Sequence, residues 1–155
     1  MADENFRVEL EARKAANMPQ LLFKAARLLN ERAIGELRER AKLPKLRASH
    51  SSLFPHIALE GTRLTDLARA MGISKQAVAQ WVDELVEMGV LVRSPDPDDG
   101  RAKRIAFARG GKNLLEGLSL LAEIEGELAG RLGQQRIDAL RDGLSALLAY
   151  LEETG

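Results

Sequence analysis

The residues best suited to specific binding in this sequence begin at position 74. A helix over 75–88 would bury Val78, Val82 and Leu85, which recur at steps of four and three. Its opposite face would carry small or hydrogen-bonding side chains: Ser74, Lys75, Gln76, Ala79 and Gln80. Glutamine pairs with adenine, lysine reaches guanine acceptors, and a methyl group contacts thymine in a major groove that admits one helix. This division predicts a helix that reads duplex DNA.

A second group of cations follows a turn-rich stretch. Val90 and Val92 predict one face of a strand, residues 94–100 a turn, and residues 104–107 a returning strand, which together make a β-hairpin. Arg101 and Lys103 lie just past the turn, where an arginine can enter the negative potential of a minor groove. We expect Asp99, together with Asp83 of the helix, to hold this hairpin in shape.

Charge is unevenly distributed although the net charge is zero. Residues 1–60 sum to +3 and residues 110–155 to −4, and the densest basic stretch spans 38–47. A local basic surface is sufficient for phosphate contacts. We therefore add Arg47 from this stretch, and Arg63 just before the helix pair, to the candidate DNA-binding residues. A solvated helix face remains the alternative explanation of the basic stretch.

Several other chemistries are disfavoured by composition. The chain has no cysteine, which excludes disulfides and thiol chemistry, and its only histidines, His50 and His56, are six residues apart. We therefore expect no metal, no cofactor and no enzymatic activity. Aromatic residues make up 4%, too few for a platform that stacks single-stranded bases. No apolar run is long enough to span a membrane, and the charged first residues do not resemble a signal peptide, so we expect a cytoplasmic protein.

The remaining segments of the chain are predicted to form helices. We predict a helix from Asn17 or Met18 to about residue 39, a second over 46–59 that Pro55 kinks or splits, and a short one that Thr65 caps. Gly72 and Gly89 would end the helices that precede them, and Ser74 would cap the helix over 75–88. Two long helices follow, one from near Gly111 that carries Leu114 among its apolar residues. The last places Ile137, Leu140, Leu144, Leu147 and Leu151 at steps of three and four. Such a seam packs along another helix and favours a second subunit.

The central motifs resemble those of the MarR family of winged helix-turn-helix transcription regulators. The likeness is carried by residues 64–68, 72–78, 82–85, 89–93 and 96–103, and it follows the family's order of elements over about 21–151. It implies a mainly α fold with a small β-hairpin wing. It also implies a homodimer joined by its first and last helices, a recognition helix at 74–88, a wing at 93–104 and a pseudo-palindromic operator, with repression favoured over activation.

The resemblance also divides the chain. We expect an extension at 1–16, a helical dimerisation region at 17–45 and 110–155, and a DNA-binding region at 46–109. Many relatives release DNA when a small, often aromatic ligand binds between these regions, and His50 and Phe54 are the candidate pocket residues here. The sequence departs from the family at Gly100 and Gln80, where relatives often carry arginine.

Two other functions are less consistent with this sequence than DNA binding. A winged-helix module that binds protein would need an apolar front on the 75–88 helix, whereas Lys75, Gln76 and Gln80 are polar. A small enzyme would need a catalytic constellation, and the sequence offers none. The partners expected are therefore double-stranded DNA, a second copy of the chain and a small-molecule effector of unknown identity.

Overall fold

The computed structural model describes residues 2–109 and 112–154, and the side chains of 3–109 and 115–154. Over these residues the chain is mostly helical with one small antiparallel sheet, which confirms the predicted fold class. The elements are α1 (Ala2–Ala16), α2 (Met18–Arg40), α3 (Ala48–Ser51), a 3-10 turn (Phe54–His56), β1 (Thr62–Arg63), α4 (Leu64–Met71), α5 (Lys75–Glu87), β2 (Leu91–Pro95), β3 (Lys103–Phe107), α6 (Lys112–Leu132) and α7 (Gln134–Thr154). The predicted start near Gly111 and the apolar contact of Leu114 lie outside the described residues.

The α4–α5 pair is a helix-turn-helix whose turn is encoded locally. Gly72 has φ +65°, the left-handed conformation that favours glycine, and its N–H donates to the carbonyl groups of Ala68 and Arg69. Ser74 then caps α5, because its hydroxyl oxygen accepts from the N–H of Ala77 at 3.2 Å. Both features were predicted. The predicted cap at Thr65 was wrong, since α4 begins at Leu64 and Arg63 occupies the cap position.

The main core lies under α5. Val78, Val82 and Leu85 are 0% exposed, as predicted, and they pack with residues of α2, α3, α4 and the sheet, including Leu53, Leu67 and Ile105. The segment 46–59 does not form one helix. It divides into α3 and the 3-10 turn, and Pro55 lies within that turn. Because proline supplies no N–H to a continuing helix, it splits the predicted one.

The sheet has three strands in the order β1–β3–β2, all antiparallel. Thr62 pairs with Ile105, and Arg93 also pairs with Ile105 from the other side, so β3 lies in the centre. The first strand was not predicted. Val90 is buried just before β2, whereas within β2 Leu91 is buried and Val92 is exposed, so the predicted common face of Val90 and Val92 is wrong.

The terminal helices form a separate layer. Ala33 of α2 packs against Leu120 and Ile124 of α6. Two ion pairs join α2 to α6 in antiparallel order, Arg32 to Glu127 at 2.5 Å and Arg40 to Glu123 at 2.7 Å. Arg141 of α7 pairs with Glu125 of α6 at 2.6 Å. Within the extension predicted at 1–16, residues 2–16 form the helix α1, whose described side chains are all exposed.

Candidate nucleic-acid interface

The front of α5 is exposed along its first two turns. Ser74, Lys75, Gln76 and Gln80 are exposed and Ala79 is half-buried, opposite the buried aliphatic face. Among the described residues, Lys75 and Gln76 have no side-chain hydrogen bond or ion pair. The structure therefore brings the predicted recognition residues together on one face and leaves two of them open to an external partner.

The tip of the wing is shaped by Asp99. Its carboxylate accepts the backbone N–H of Arg101 at 3.0 Å, and its carbonyl accepts from Ala102 at 2.9 Å. This Asx-type turn leaves the side chains of Arg101 and Lys103 exposed, and within the described part of the chain neither makes an ion pair. The tip thus presents two free cations.

The base of the wing is organised by Asp96, which the sequence did not single out. Its side chain is 0% exposed and lies between two guanidinium groups, with Oδ2 at 2.5 Å from Nε of Arg63 and 3.1 Å from Nε of Arg104. Oδ1 accepts the N–H of Asp98 at 2.9 Å. The hydrogen bond from Arg63 is the largest of the effects that hold the pKa of Asp96 well below its usual range. Arg63, a predicted DNA-binding residue, therefore joins β1 to the wing, and its side chain is 40% exposed.

Asp83 ties the recognition helix to the wing. Its carboxylate accepts from Nη2 of Arg93 on β2 at 2.5 Å. Because Asp83 lies in the third turn of α5, this contact couples the helix orientation to the strand that leads into the wing tip.

Arg47 and His50 both contact Glu84 of α5. The guanidinium of Arg47 donates to the carboxylate of Glu84, and Nε2 of His50 lies 2.7 Å from the same oxygen. Arg47, a predicted DNA-binding residue, is thus paired with a protein carboxylate while its side chain stays 48% exposed. His50, a predicted pocket residue, is 0% exposed and is not among the residues that line the cavity described below.

The protonation of His50 follows from its two neighbours. The backbone N–H of Arg47 donates to Nδ1 at 3.1 Å, so Nδ1 carries no proton and Nε2–H donates to Glu84. Burial, the largest effect, lowers the pKa of His50 below 6.5. The hydrogen bond from His50, again the largest effect, lowers the pKa of Glu84. The pair is therefore a neutral imidazole that donates to an ionised carboxylate.

An apolar cavity of about 620 Å³ lies between α2, α6, the 3-10 turn and β3. Phe54, the other predicted pocket residue, lines it, and its ring lies 5.8 Å from that of Phe107. The polar side chains in the lining are Asn30 and Ser51, which hydrogen-bond each other at 2.7 Å. Among the described residues no charged side chain lines this cavity.

The described residues contain no group of three or more His, Cys, Asp or Glu side chains placed to hold a metal ion. None of their helices combines the length and the hydropathy required to span a bilayer.

We predict that folding stability depends on His50 between pH 7 and 5.5. Its lowered pKa means that the unfolded chain takes up a proton, near the ordinary pKa of ~6.5, before the folded chain does. The free energy of unfolding should therefore fall as pH falls through this window. Denaturant titrations at several pH values should show a shallower decline for His50→Gln, with the exposed His56→Gln as control. An unchanged slope in His50→Gln would contradict the assigned neutral state.

The comparisons with known proteins agree on the fold. The MarR family model matches residues 58–103, which include β1, the helix-turn-helix, β2 and the wing turn. No curated protein matches the chain. Solved structures do match, including a mutant of MarR from E. coli at 19% identity, covering 85% of this chain and 96% of that one with a TM-score of 0.58.

Two further similar structures are complexes, one with DNA and one with a small molecule. MepR from S. aureus in complex with DNA is 19% identical, covers 87% of this chain and 98% of that one, and has a TM-score of 0.61. CouR from Rhodococcus jostii RHA1 bound to p-coumaroyl-CoA is 23% identical, covers 86% and 93%, and has a TM-score of 0.60. Residues 58–103 thus carry the MarR-family sequence pattern on a chain that has the fold of MarR-family transcription regulators, and the resemblance to that family is confirmed.

Proposed function

We propose that this chain is a transcription regulator that binds a pseudo-palindromic operator in double-stranded DNA as a homodimer, and that it acts as a repressor. The observation that carries the proposal is the exposed polar front of α5 opposite a fully buried aliphatic face. A helix braced in this way can enter a major groove without losing its orientation. The structure of MepR in complex with DNA supports the same use of this fold.

The side chains divide into DNA contacts and supports. Those with exposed or small groups on α5 and the wing are the proposed contacts: Ser74, Lys75, Gln76, Ala79, Gln80, Arg101 and Lys103. Asp83, Asp96 and Asp99 hold the wing by the contacts described above. Arg63 and Arg47 act through Asp96 and Glu84, respectively, and so position the contacting residues. Base edges would be read from α5, and phosphates or the minor groove from the wing.

The homodimer is supported by the terminal helices. The Arg32–Glu127 pair lies five residues before the end of α6, so the first ten or so residues of α2 extend beyond α6. Met18, Leu21, Leu28 and Leu29 of this segment are 43–56% exposed. On α7, Leu140, Leu148 and Leu151 are 53–58% exposed. Two apolar helix surfaces in one chain fit an isologous contact in which each covers the other.

We accordingly assign residues 17–45 and 110–155 to dimerisation, residues 46–109 to DNA binding, and residues 1–16 to an extension. Two-fold pairing would place the recognition helices about 34 Å apart, one turn of B-DNA. That spacing is what a pseudo-palindromic operator requires.

The cavity supports regulation by a small molecule. It lies between the helical layer and the winged helix, so a ligand there contacts both layers and can favour one arrangement of the two over another. Its lining selects an uncharged, apolar ligand with one hydrogen-bonding group, because a buried charge would have no counter-charge. The CouR structure shows that a protein of this fold binds a small molecule.

DNA binding should depend on salt and on two kinds of residue. Arg101→Ala should weaken binding to many sequences alike and should lower the slope of log K against log salt, because it removes one phosphate or minor-groove cation. Gln76→Ala should cost about 1–3 kcal/mol at particular base pairs only. Both effects are measurable by fluorescence anisotropy with duplexes enriched from a random pool. The absence of any enriched duplex, with no salt dependence, would contradict the proposed function.

The purified chain should sediment as a dimer of twice its 17.0 kDa mass. Leu28→Glu should raise the dimer dissociation constant at least tenfold, because it places a charge on the apolar surface of α2. Arg27→Glu, on the adjacent exposed position that pairs with Glu31, serves as the control for added negative charge. Sedimentation equilibrium that gives a monomer at micromolar concentration would rule out the dimeric assembly.

The neutral probe N-phenyl-1-naphthylamine should bind the cavity, and its fluorescence should rise. Leu118→Trp should lower its affinity at least tenfold because the indole fills the cavity. Leu115→Trp, on α6 but outside the lining, should leave the affinity unchanged. 1-Naphthoate, which carries a charge, should bind more weakly than the neutral probe. Equal affinities in the two tryptophan variants would contradict the assigned site.

A further inference from the structure

A chain of hydrogen bonds with a fixed polarity ends at Gln80 on the front of α5. Nε2 of Gln80 lies 3.2 Å from Oε1 of Glu84, one turn later on the same helix. The other oxygen, Oε2, accepts from Arg47 and from His50. The chain therefore begins at the N-terminus of α3, reaches α5 at the half-buried Glu84, and ends on the exposed face that the proposed function assigns to DNA.

Each link in this chain has only one possible direction. The backbone N–H of Arg47 can only donate, so Nδ1 of His50 accepts and Nε2 donates to Glu84. An ionised carboxylate can only accept, so the group of Gln80 that faces Glu84 must be its NH₂ group. The carbonyl oxygen of Gln80 and its second N–H are left for an outside partner. An exposed glutamine without such a neighbour could present its amide in either orientation.

The carboxylate itself is held firmly. His50 is 0% exposed and fixed at both ring nitrogens, and Arg47 adds a charged donor on the same oxygen of Glu84. With Oε2 engaged by these two donors, Oε1 is the oxygen left for Gln80. The orientation of the exposed Gln80 is thus set by a half-buried carboxylate that a buried histidine helps to hold.

We propose that Gln80 reads an adenine in the operator and that Glu84, supported by His50, is the positioning residue that fixes the orientation of its amide. This inference rests on the proposed function and adds a base preference to it. Adenine presents the N6 amino donor beside the N7 acceptor in the major groove, which matches one carbonyl oxygen and one N–H. Guanine presents two acceptors there, so the carbonyl oxygen of a fixed amide would face another acceptor.

The experiment first locates the base pair that Gln80 contacts. Duplexes are enriched from a random pool with the wild-type chain, and the best one is then varied at every position. Gln80→Ala should flatten the base preference at one position in each half-site, and the wild type should favour adenine over guanine there at least tenfold. Preference for another base at that position would overturn the proposal.

The second step tests the positioning role with Glu84→Gln. A neutral amide at 84 can donate as well as accept, so the amide of Gln80 is free to turn over, and the adenine-to-guanine ratio at that position should fall by at least fivefold. The matched control is Glu87→Gln, the next exposed glutamate of α5, which should keep the ratio. A ratio measured on folded dimer does not respond to a mere loss of stability, and thermal unfolding establishes that each variant is folded.

The outcomes separate the two proposals. An unchanged ratio in Glu84→Gln, with normal affinity for the enriched duplex, overturns the positioning role while DNA binding stands. If Glu84→Gln does not fold, Glu84→Ala replaces it, since it removes the carboxylate that accepts from Gln80, and a ratio that stays at the wild-type value overturns the role in the same way. Failure of the wild type to enrich any duplex overturns the proposed function and this inference together.

Discussion

The burial of the aliphatic side of α5 is the constraint on which the rest of the structure depends. Val78, Val82 and Leu85 are fully buried at spacings of four and three, so the helix has one permitted rotation about its axis. Truncation of a leucine at such a site costs about 2–5 kcal/mol, a large part of the stability of a small domain. The polar face at Lys75, Gln76 and Gln80 is exposed because burial of the opposite, aliphatic face in the core fixes the rotation of the helix.

Charged pairs then fix what packing leaves free. Apolar burial sets the rotation of α5 but says little about the wing, which is a long turn on a small sheet. The carboxylate of Asp96 joins Arg63 of β1 to Arg104 of β3, and Asp83 joins α5 to Arg93 of β2. A buried carboxylate between two guanidinium groups is costly to break, because loss of one partner leaves an uncompensated charge. The positions of the two free cations at the tip therefore depend on carboxylates that are paired with arginines of the protein itself.

The sequence predicted the local features and missed the distant pairs. Gly72 and Ser74 act on their own neighbours, so residue type alone predicts the turn and the cap. The division of α5 into two faces follows from helical periodicity. Asp96 and Arg63 are 33 residues apart, and His50 and Glu84 are 34 residues apart. No helical or strand periodicity predicts contacts between residues so far apart in sequence. The two-residue strand β1 exists only because β3 lies beside it, and thus carries no strand signal of its own.

The same distance effect explains why the sequence did not reveal the carboxylate partners of Arg47 and Arg63. Arg47 and Arg63 were chosen from local charge, and local charge does not show whether a carboxylate lies across the fold. Arg101 and Lys103 differ from them because the wing tip projects from the sheet, and Asp99 uses its carboxylate on a backbone N–H instead of a side chain. Whether a cation is left without an ion pair thus depends on whether the carboxylates around it already have other hydrogen-bond partners. Among the described residues of the winged helix, the cations without an ion pair include Lys75 on α5 and Arg101 and Lys103 at the wing tip, where the carboxylate of Asp99 already accepts a backbone N–H.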